Sequence, residues 1–192
     1  MQHTLAADDG LIRKLWIAEV DIYRDHLLRL DRDSRHSRFG GAVSDEFIRE
    51  YVGSTYQLNV VMHGFFVDGT LRGAAELRPL GPAFAREAEA AFSIETPWQS
   101  HGVGSALLDR TLLAARNRGI RILHMACLAN NRRMQELARK FAAELSFDFG
   151  SVVGEVAAPR PTPLSVLREM VADGHGFATA VLDVQSRLLK PT

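Results

Sequence analysis

The stretch AEAAFSIETPWQSHGVGS, Ala88 to Ser105, changes its periodicity halfway along. In its first half Glu89, Ala91, Ser93 and Glu95 fall on one face of an extended chain, and Ala90, Phe92 and Ile94 on the other. Thr96-Pro97 stops that strand. Gln99-x-x-Gly102-x-Gly104 then opens a run from Val103 to Arg118 in which Leu107, Leu108, Leu112 and Ala115 recur at helical spacing, with Gly119 as its C-cap. Glycine at such a turn permits φ > 0 and lets a ligand approach the backbone. The unpaired N–H groups of the first helical turn, with the dipole behind them, favour an anion such as a pyrophosphate. A plain tight turn accounts for a lone Gly-x-Gly equally well. Two nucleotide-binding fingerprints fail here. The third glycine of the dinucleotide motif would fall at Leu107, and no Gly-Lys-Ser/Thr triplet follows.

Working outward, Ile120 to Leu128 reads as a short apolar strand. Asn130 to Leu145 reads as a second helix, with Met134, Leu137, Ala138, Phe141 and Ala142 inward. Phe147 to Val156 suits two short strands parted near Gly150 or Gly154. The proline-rich piece at 157–163 reads as a linker, followed by two amphipathic helices, Leu164–Asp173 and Phe177–Leu189. Towards the N-terminus, Leu11 to Trp16 suits a strand and Glu19 to Leu30 a helix. Asp31 to Gly41 reads as a charged loop, and Ser44 as the N-cap of a short helix ending before Gly53. Tyr56–Val67 and Leu71–Leu80 flank Asp68-Gly69, a strong hairpin signal. This order predicts an α+β (or α/β) domain over residues 1–158 and a helical extension over 159–192.

Composition narrows the function. Lys plus Arg and Asp plus Glu both number 23, so the formal net charge is zero and no nucleic-acid partner is expected from bulk electrostatics. The single cysteine, Cys127, excludes an internal disulfide framework and a Cys-based zinc cluster, and the seven histidines show no metal spacing. Cys127 itself reads as a small buried hydrophobe. Met1 to Gly10 is polar and acidic, unlike a signal peptide, and no apolar run approaches the roughly 20 residues that span a bilayer. A cytoplasmic protein without a membrane partner is expected.

The combination of strand, Gln99-x-x-Gly102-x-Gly104, helix, strand and a helix opened by Asn131 resembles the acyl-CoA site of the GNAT superfamily of N-acetyltransferases. The similarity is firmest over Ala88 to Leu145. It implies a mixed, mostly antiparallel sheet flanked by helices, with the fourth and fifth strands splayed around the cofactor, acetyl-CoA. The backbone of Gln99, Ser100, His101, Gly102, Val103, Gly104 and Ser105 would then cradle the pyrophosphate. Ile94 would pair with the pantetheine arm, and Asn131 would reach the same arm or the phosphate side. Asn131 is equally well placed to cap its helix. Arg132-Arg133 suits either a solvated helix face or the cofactor's 3′-phosphate. A shorter similarity, Asp33, Ser34, Arg35, Arg38 and Phe39, points to bacterial GNAT domains that acetylate protein lysines, and leaves small amines open as acceptors.

An amine must lose a proton before it attacks a thioester. For a lysine-like amine at neutral pH that costs about 4–5 kcal/mol, and a positioned carboxylate can take the proton. Glu89, in Ala-Glu-x-x-Phe, resembles the glutamate of protein acetyltransferases in this superfamily. Glu95 is the second candidate, and either could be a solvated strand carboxylate instead. Many members of the family protonate the leaving thiolate with a tyrosine seven residues after the asparagine, where this chain has Ala138. His101 reads as exposed and His124 as a hydrogen-bonded packing residue. The sequence thus predicts direct transfer of acetyl to a primary amine in a ternary complex, with a non-catalytic acyl-CoA-binding regulatory domain as the alternative. The terminal helices could cover the core or form a homodimer.

Overall fold

The structure, a computed structural model, describes residues 10–55, 60–81, 86–141, 143–148 and 151–188. In chain order the elements are β1 (Leu11–Lys14), a 3-10 turn (Ile17–Glu19), α1 (Val20–Arg29), α2 (Arg32–Phe39), α3 (Asp45–Thr55), β2 (Val61–Val67), β3 (Thr70–Pro79) and β4 (Glu87–Ile94). Then come α4 (Val103–Asn117), β5 (Ile122–Leu128), α5 (Arg132–Lys140), β6 (Glu144–Asp148), β7 (Ser151–Ala157) and α6 (Pro163–Leu188). The strands form one sheet in the order β1-β2-β3-β4-β5-β7-β6. All neighbours run antiparallel except β4 and β5. The expected mixed α+β sheet is therefore present. Asp68 and Gly69 turn the β2–β3 hairpin with φ of 50° and 70°, the left-handed pair that a tight hairpin turn requires. The expected strand residues 56–59 lie outside the described residues.

Alternation along β3 and β4 gives the sheet two different faces. On one, α1 and α3 bury Tyr23, Leu27, Ile48 and Val52 against Met62, Phe66 and Ala74. On the other, α4 lays Val103, Leu107, Leu108 and Ala115 over Phe65, Ala75, Leu77, Leu123 and Met125, and α5 adds Leu137, Ala138 and Phe141. No helix among the described residues is long and apolar enough to cross a membrane.

Four expectations are corrected. The predicted loop Asp31–Gly41 contains α2. Asp31 caps it by accepting from the Ser34 N–H at 2.8 Å, and Gly40 ends it at φ 73°. It carries no apolar stripe, because polar contacts hold it in place. Helix α3 runs through Gly53 to Thr55, because burial of Val52 and Thr55 outweighs glycine's cost of about 1 kcal/mol. The helix after Asn131 stops at Lys140, and Leu145 belongs to β6, where it pairs with Gly154. The two terminal helices are one continuous α6. Gly176 lies against β1, where an added Cβ would come within 3.0 Å of Arg13 Cβ, so glycine lets the helix approach without breaking. Lys14–Asp173 at 3.5 Å and the edge-on Trp16–Phe177 pair reinforce that seam.

Candidate active site

Strands β4 and β5 pair only from Glu87–Glu89 to Ile122–His124, and beyond that point they part. The odd-numbered residues of β4 bond to β3, as in Glu95 N–H to the Arg72 carbonyl at 2.9 Å. The antiparallel register therefore turns the N–H and C=O groups of Phe92 and Ile94 into the gap. Ile94's carbonyl is already taken there by Gln99 Nε2 at 2.8 Å.

The turn after β4 is built to leave amides open. Pro97 starts a 3-10 turn, and the Gln99 N–H closes it onto the Thr96 carbonyl at 3.2 Å. Ser100 and Gly102 then adopt φ of 63° and 84°. Among the described residues, none of the N–H groups from Ser100 to Ser105 has a protein acceptor. Six consecutive donors at the N-terminus of a fifteen-residue helix form an anion cradle. Gln99 N–H is not part of it. Instead the Gln99 side chain ties three elements together, donating to Ser34 Oγ at 3.1 Å and accepting from Arg133.

This cradle opens into a cleft of about 1090 Å³ between α2, the end of β4, the start of α4 and α5. Ile94, Gln99, Ser100, Gly102, Gly104, Ser105 and Asn131 line it. Val103 does not, because its side chain is buried in the core, and His101 also lies outside the lining. Asn131 caps α5 by accepting from Met134 N–H at 3.1 Å, and its amide nitrogen has no acceptor among the described residues. Asn131 is thus the N-cap that one of its two readings expected. Arg32, Arg133 and Lys140 place cations on the cleft wall, and Lys140 also donates to Ser105 Oγ at 3.0 Å.

The structure separates the two candidate carboxylates. Glu89 lines a second cavity of about 220 Å³, between Arg38, Phe92, Cys127 and Asn131. It is half-buried, and it has no hydrogen-bond or ion-pair partner among the described residues. Glu95 lies in neither cavity. Arg29 and Arg72 hold its two oxygens at 2.9 and 2.8 Å, with His26 Nδ1 at 3.2 Å. Burial opposes its charge, but hydrogen bonds from His26 and Arg72 and the charge of Arg29 outweigh that and hold its pKa at about 2. Its geometry is that of an anchor for α1. His124 contacts Glu87 at 2.9 Å, as a hydrogen-bonded strand residue would. Burial raises the Cys127 thiol pKa. Ala138 is 3% exposed and faces the core.

Sequence reasoning missed a buried polar network. Glu76 on β3 accepts from Tyr23, Tyr51 at 2.8 Å and Arg38, with Arg78 at 3.3 Å. The one signal that touched it was the Arg38-Phe39 similarity. Of that similarity, Asp33 and Ser34 line the large cleft, Phe39 the small cavity and Arg38 both. Arg35 binds the carbonyls of Leu28 and Leu30 and the Asp45 carboxylate.

The acetyltransferase (GNAT) family matches residues 21–143 of the chain. Among solved structures, the GNAT domain of S. lividans PAT superposes with a TM-score of 0.67 at 23% identity, over 77% of this chain and 90% of that one. The GNAT-family acetyltransferase from Streptococcus pneumoniae gives 0.61 at 16%, over 78% and 99%. The yncA protein from Salmonella typhimurium, solved with its cofactor acetyl-CoA, gives 0.59 at 15%, over 80% and 96%. No curated protein matches the chain.

Proposed function

The chain belongs to the acetyltransferase (GNAT) family, so its cosubstrate is acetyl-CoA, and from that premise we propose that it moves the acetyl group directly to a primary amine in a ternary complex. Bound acetyl-CoA supplies an electrophilic thioester. The residues of this chain fit that group: six open amides suit a diphosphate, the β4–β5 gap suits an extended arm, and the cleft leads to Glu89.

Ser100 to Ser105 hold the diphosphate through their N–H groups, aided by Arg133 and Lys140. Phe92, which borders both cavities, offers a main-chain N–H in the gap to the thioester oxygen. Asn131 donates its amide to the pantetheine arm. Glu89, without an internal partner and facing the small cavity, takes the proton of the attacking amine. Cys127, buried and with a raised pKa, is a poor nucleophile, which favours direct transfer over an acyl-enzyme. The acceptor class is an amine, and the Asp33–Phe39 similarity supports protein lysine within it.

The observation that carries this reading is the unpartnered Glu89 in the small cavity, which shares lining residues with the cleft that holds the amide cradle. In Glu89→Gln, turnover of acetyl-CoA with an accepted amine should fall about 10²–10⁴-fold, while CoA affinity by calorimetry stays unchanged. Undiminished turnover would remove Glu89 from the role. CoA binding without turnover by the wild type across an amine panel would instead establish the regulatory, non-catalytic alternative, which the buried Ala138 favours.

A further inference from the structure

The large cleft and the small cavity share five lining residues, Ser37, Arg38, Phe92, Asn131 and Met134. Arg38 alone among them carries a charge. Its side chain is 7% exposed. One terminal nitrogen, Nη2, donates to Glu76 and to Tyr51 Oη at 2.7 Å. The Nε atom is buried with no acceptor, and Nη1 has none among the described residues. A guanidinium held on one side and unsatisfied on the other, at the junction of two cavities, is built to meet an anion.

Resting on the acetyl-CoA reading above, we propose that Arg38 stabilises the coenzyme thiolate as it departs. The cleft holds the coenzyme and the small cavity holds the base, so the sulfur lies where they join. In the transfer, the amine nitrogen forms the C–N bond to the acetyl carbon and the C–S bond breaks. Sulfur keeps the electron pair, and the amine proton goes to Glu89. No proton donor is needed for sulfur if a fixed cation faces it. The surroundings agree. Helix α5 offers Ala138, turned into the core, where a donor would stand. The hydroxyls of Tyr23 and Tyr51 are engaged by Glu76, outside both cavities. The charged or titratable groups around Arg38 are Tyr23 on α1, Tyr51 on α3, Glu76 and Arg78 on β3, Glu89 on β4 and Cys127 on β5. Burial opposes the charge of Arg38, but Glu76, Tyr23 and Tyr51 hold its pKa well above the ordinary value, so it stays cationic wherever the thiol titrates.

The test reads the thiol of bound CoA by its ultraviolet thiolate absorbance, taken as the difference from the acetyl-CoA complex so that Cys127 cancels. With wild type, the thiol pKa should lie about one to two units below its free value near 8.5. Arg38→Lys should keep part of that shift. Arg38→Met would strand Glu76, so it is paired with Glu76→Gln, which removes both buried charges together. In the double variant the thiol should return to its free value. CoA that binds with the same thiol pKa in wild type and double variant overturns the role of Arg38 and leaves the family reading intact. Absence of CoA binding to the wild type overturns both.

Discussion

His63 and Glu95 show what burial does to an ionisable side chain with and without partners. His63 is 3% exposed on β2, and its Nδ1 has no acceptor. Burial, reinforced by the charges of Arg110, Arg118 and Lys14, lowers its pKa from 6.5 to about 3. Glu95 is held at about 2 by its cations. Both shifts act in the same direction. Below pH 6.5 the unfolded chain binds a proton at residue 63 that the folded chain refuses. Below about 4.5 the unfolded carboxylate of residue 95 does likewise. The stability tied to these two groups is therefore full above pH 6.5 and is lost on acidification, by up to about 1.4 kcal/mol per pH unit for each group inside its window. Urea midpoints of His63→Gln should be flatter than wild type between pH 6.5 and 4.5, where only residue 63 of this pair titrates. Parallel pH profiles would show that His63 is protonated in the fold.

At the scale of elements, the proposed coenzyme site is a junction, where β4 ends and α4 begins. Gly104 shows how tightly it is fitted. An added Cβ would sit 3.5 Å from both Ile94 Cδ1 and Leu137 Cδ2, which is ordinary contact, but any larger side chain must enter the cleft. Gly104→Val should weaken CoA binding more than tenfold, or about 1.4 kcal/mol, with thermal stability little changed. Unaltered affinity by calorimetry would place the coenzyme elsewhere. Helix α2 is the second such element. Its apolar content is too low for a periodic pattern, yet Asp31, Ser34 and Arg38 fix it across the mouth of the cleft through Thr96, Gln99 and Glu76.

At the scale of the molecule, α6 sets Gly176 against β1 and Ser165 against Asn117 of α4, buries Ala180, and turns a wider apolar face outward. Leu164, Leu167, Met170, Val171, Phe177 and Leu182 are 55–75% exposed, and Val166 and Val181 each 40%. Helical spacing gathers them on one side. Their combined surface is comparable with the roughly 800 Å² that each partner brings to a standard-sized interface, and exceeds what monomers usually display. We propose a second copy of this chain as the cover, with the two α6 helices packed together. Sedimentation equilibrium should give a dimer for the wild type and a monomer for Leu167→Asp/Met170→Asp, with CoA affinity retained because α6 does not line the cleft. A monomeric wild type would refute the pairing.

What the sequence determined by itself is whatever neighbours along the chain encode. The Asp68-Gly69 turn, the alternation of β4, the stripe of α4 and the open amides after Thr96 all depend on a few adjacent residues, and all could be read from them. Asn131 belongs with these, as a cap next to its own helix. Tertiary structure alone decided the rest. Glu89 and Glu95 share one face of the extended chain, six residues apart, and only the Ala-Glu-x-x-Phe similarity ranks Glu89 first; neither carboxylate's surroundings could be read from its neighbours in sequence. Packing brought Arg29, Arg72 and His26 to one and a cavity to the other. It also made a helix of a charged segment, joined two helices into α6 and assembled the Glu76 network from four elements. Charge compensation and close packing act between residues distant in sequence, and only the folded chain brings those residues together.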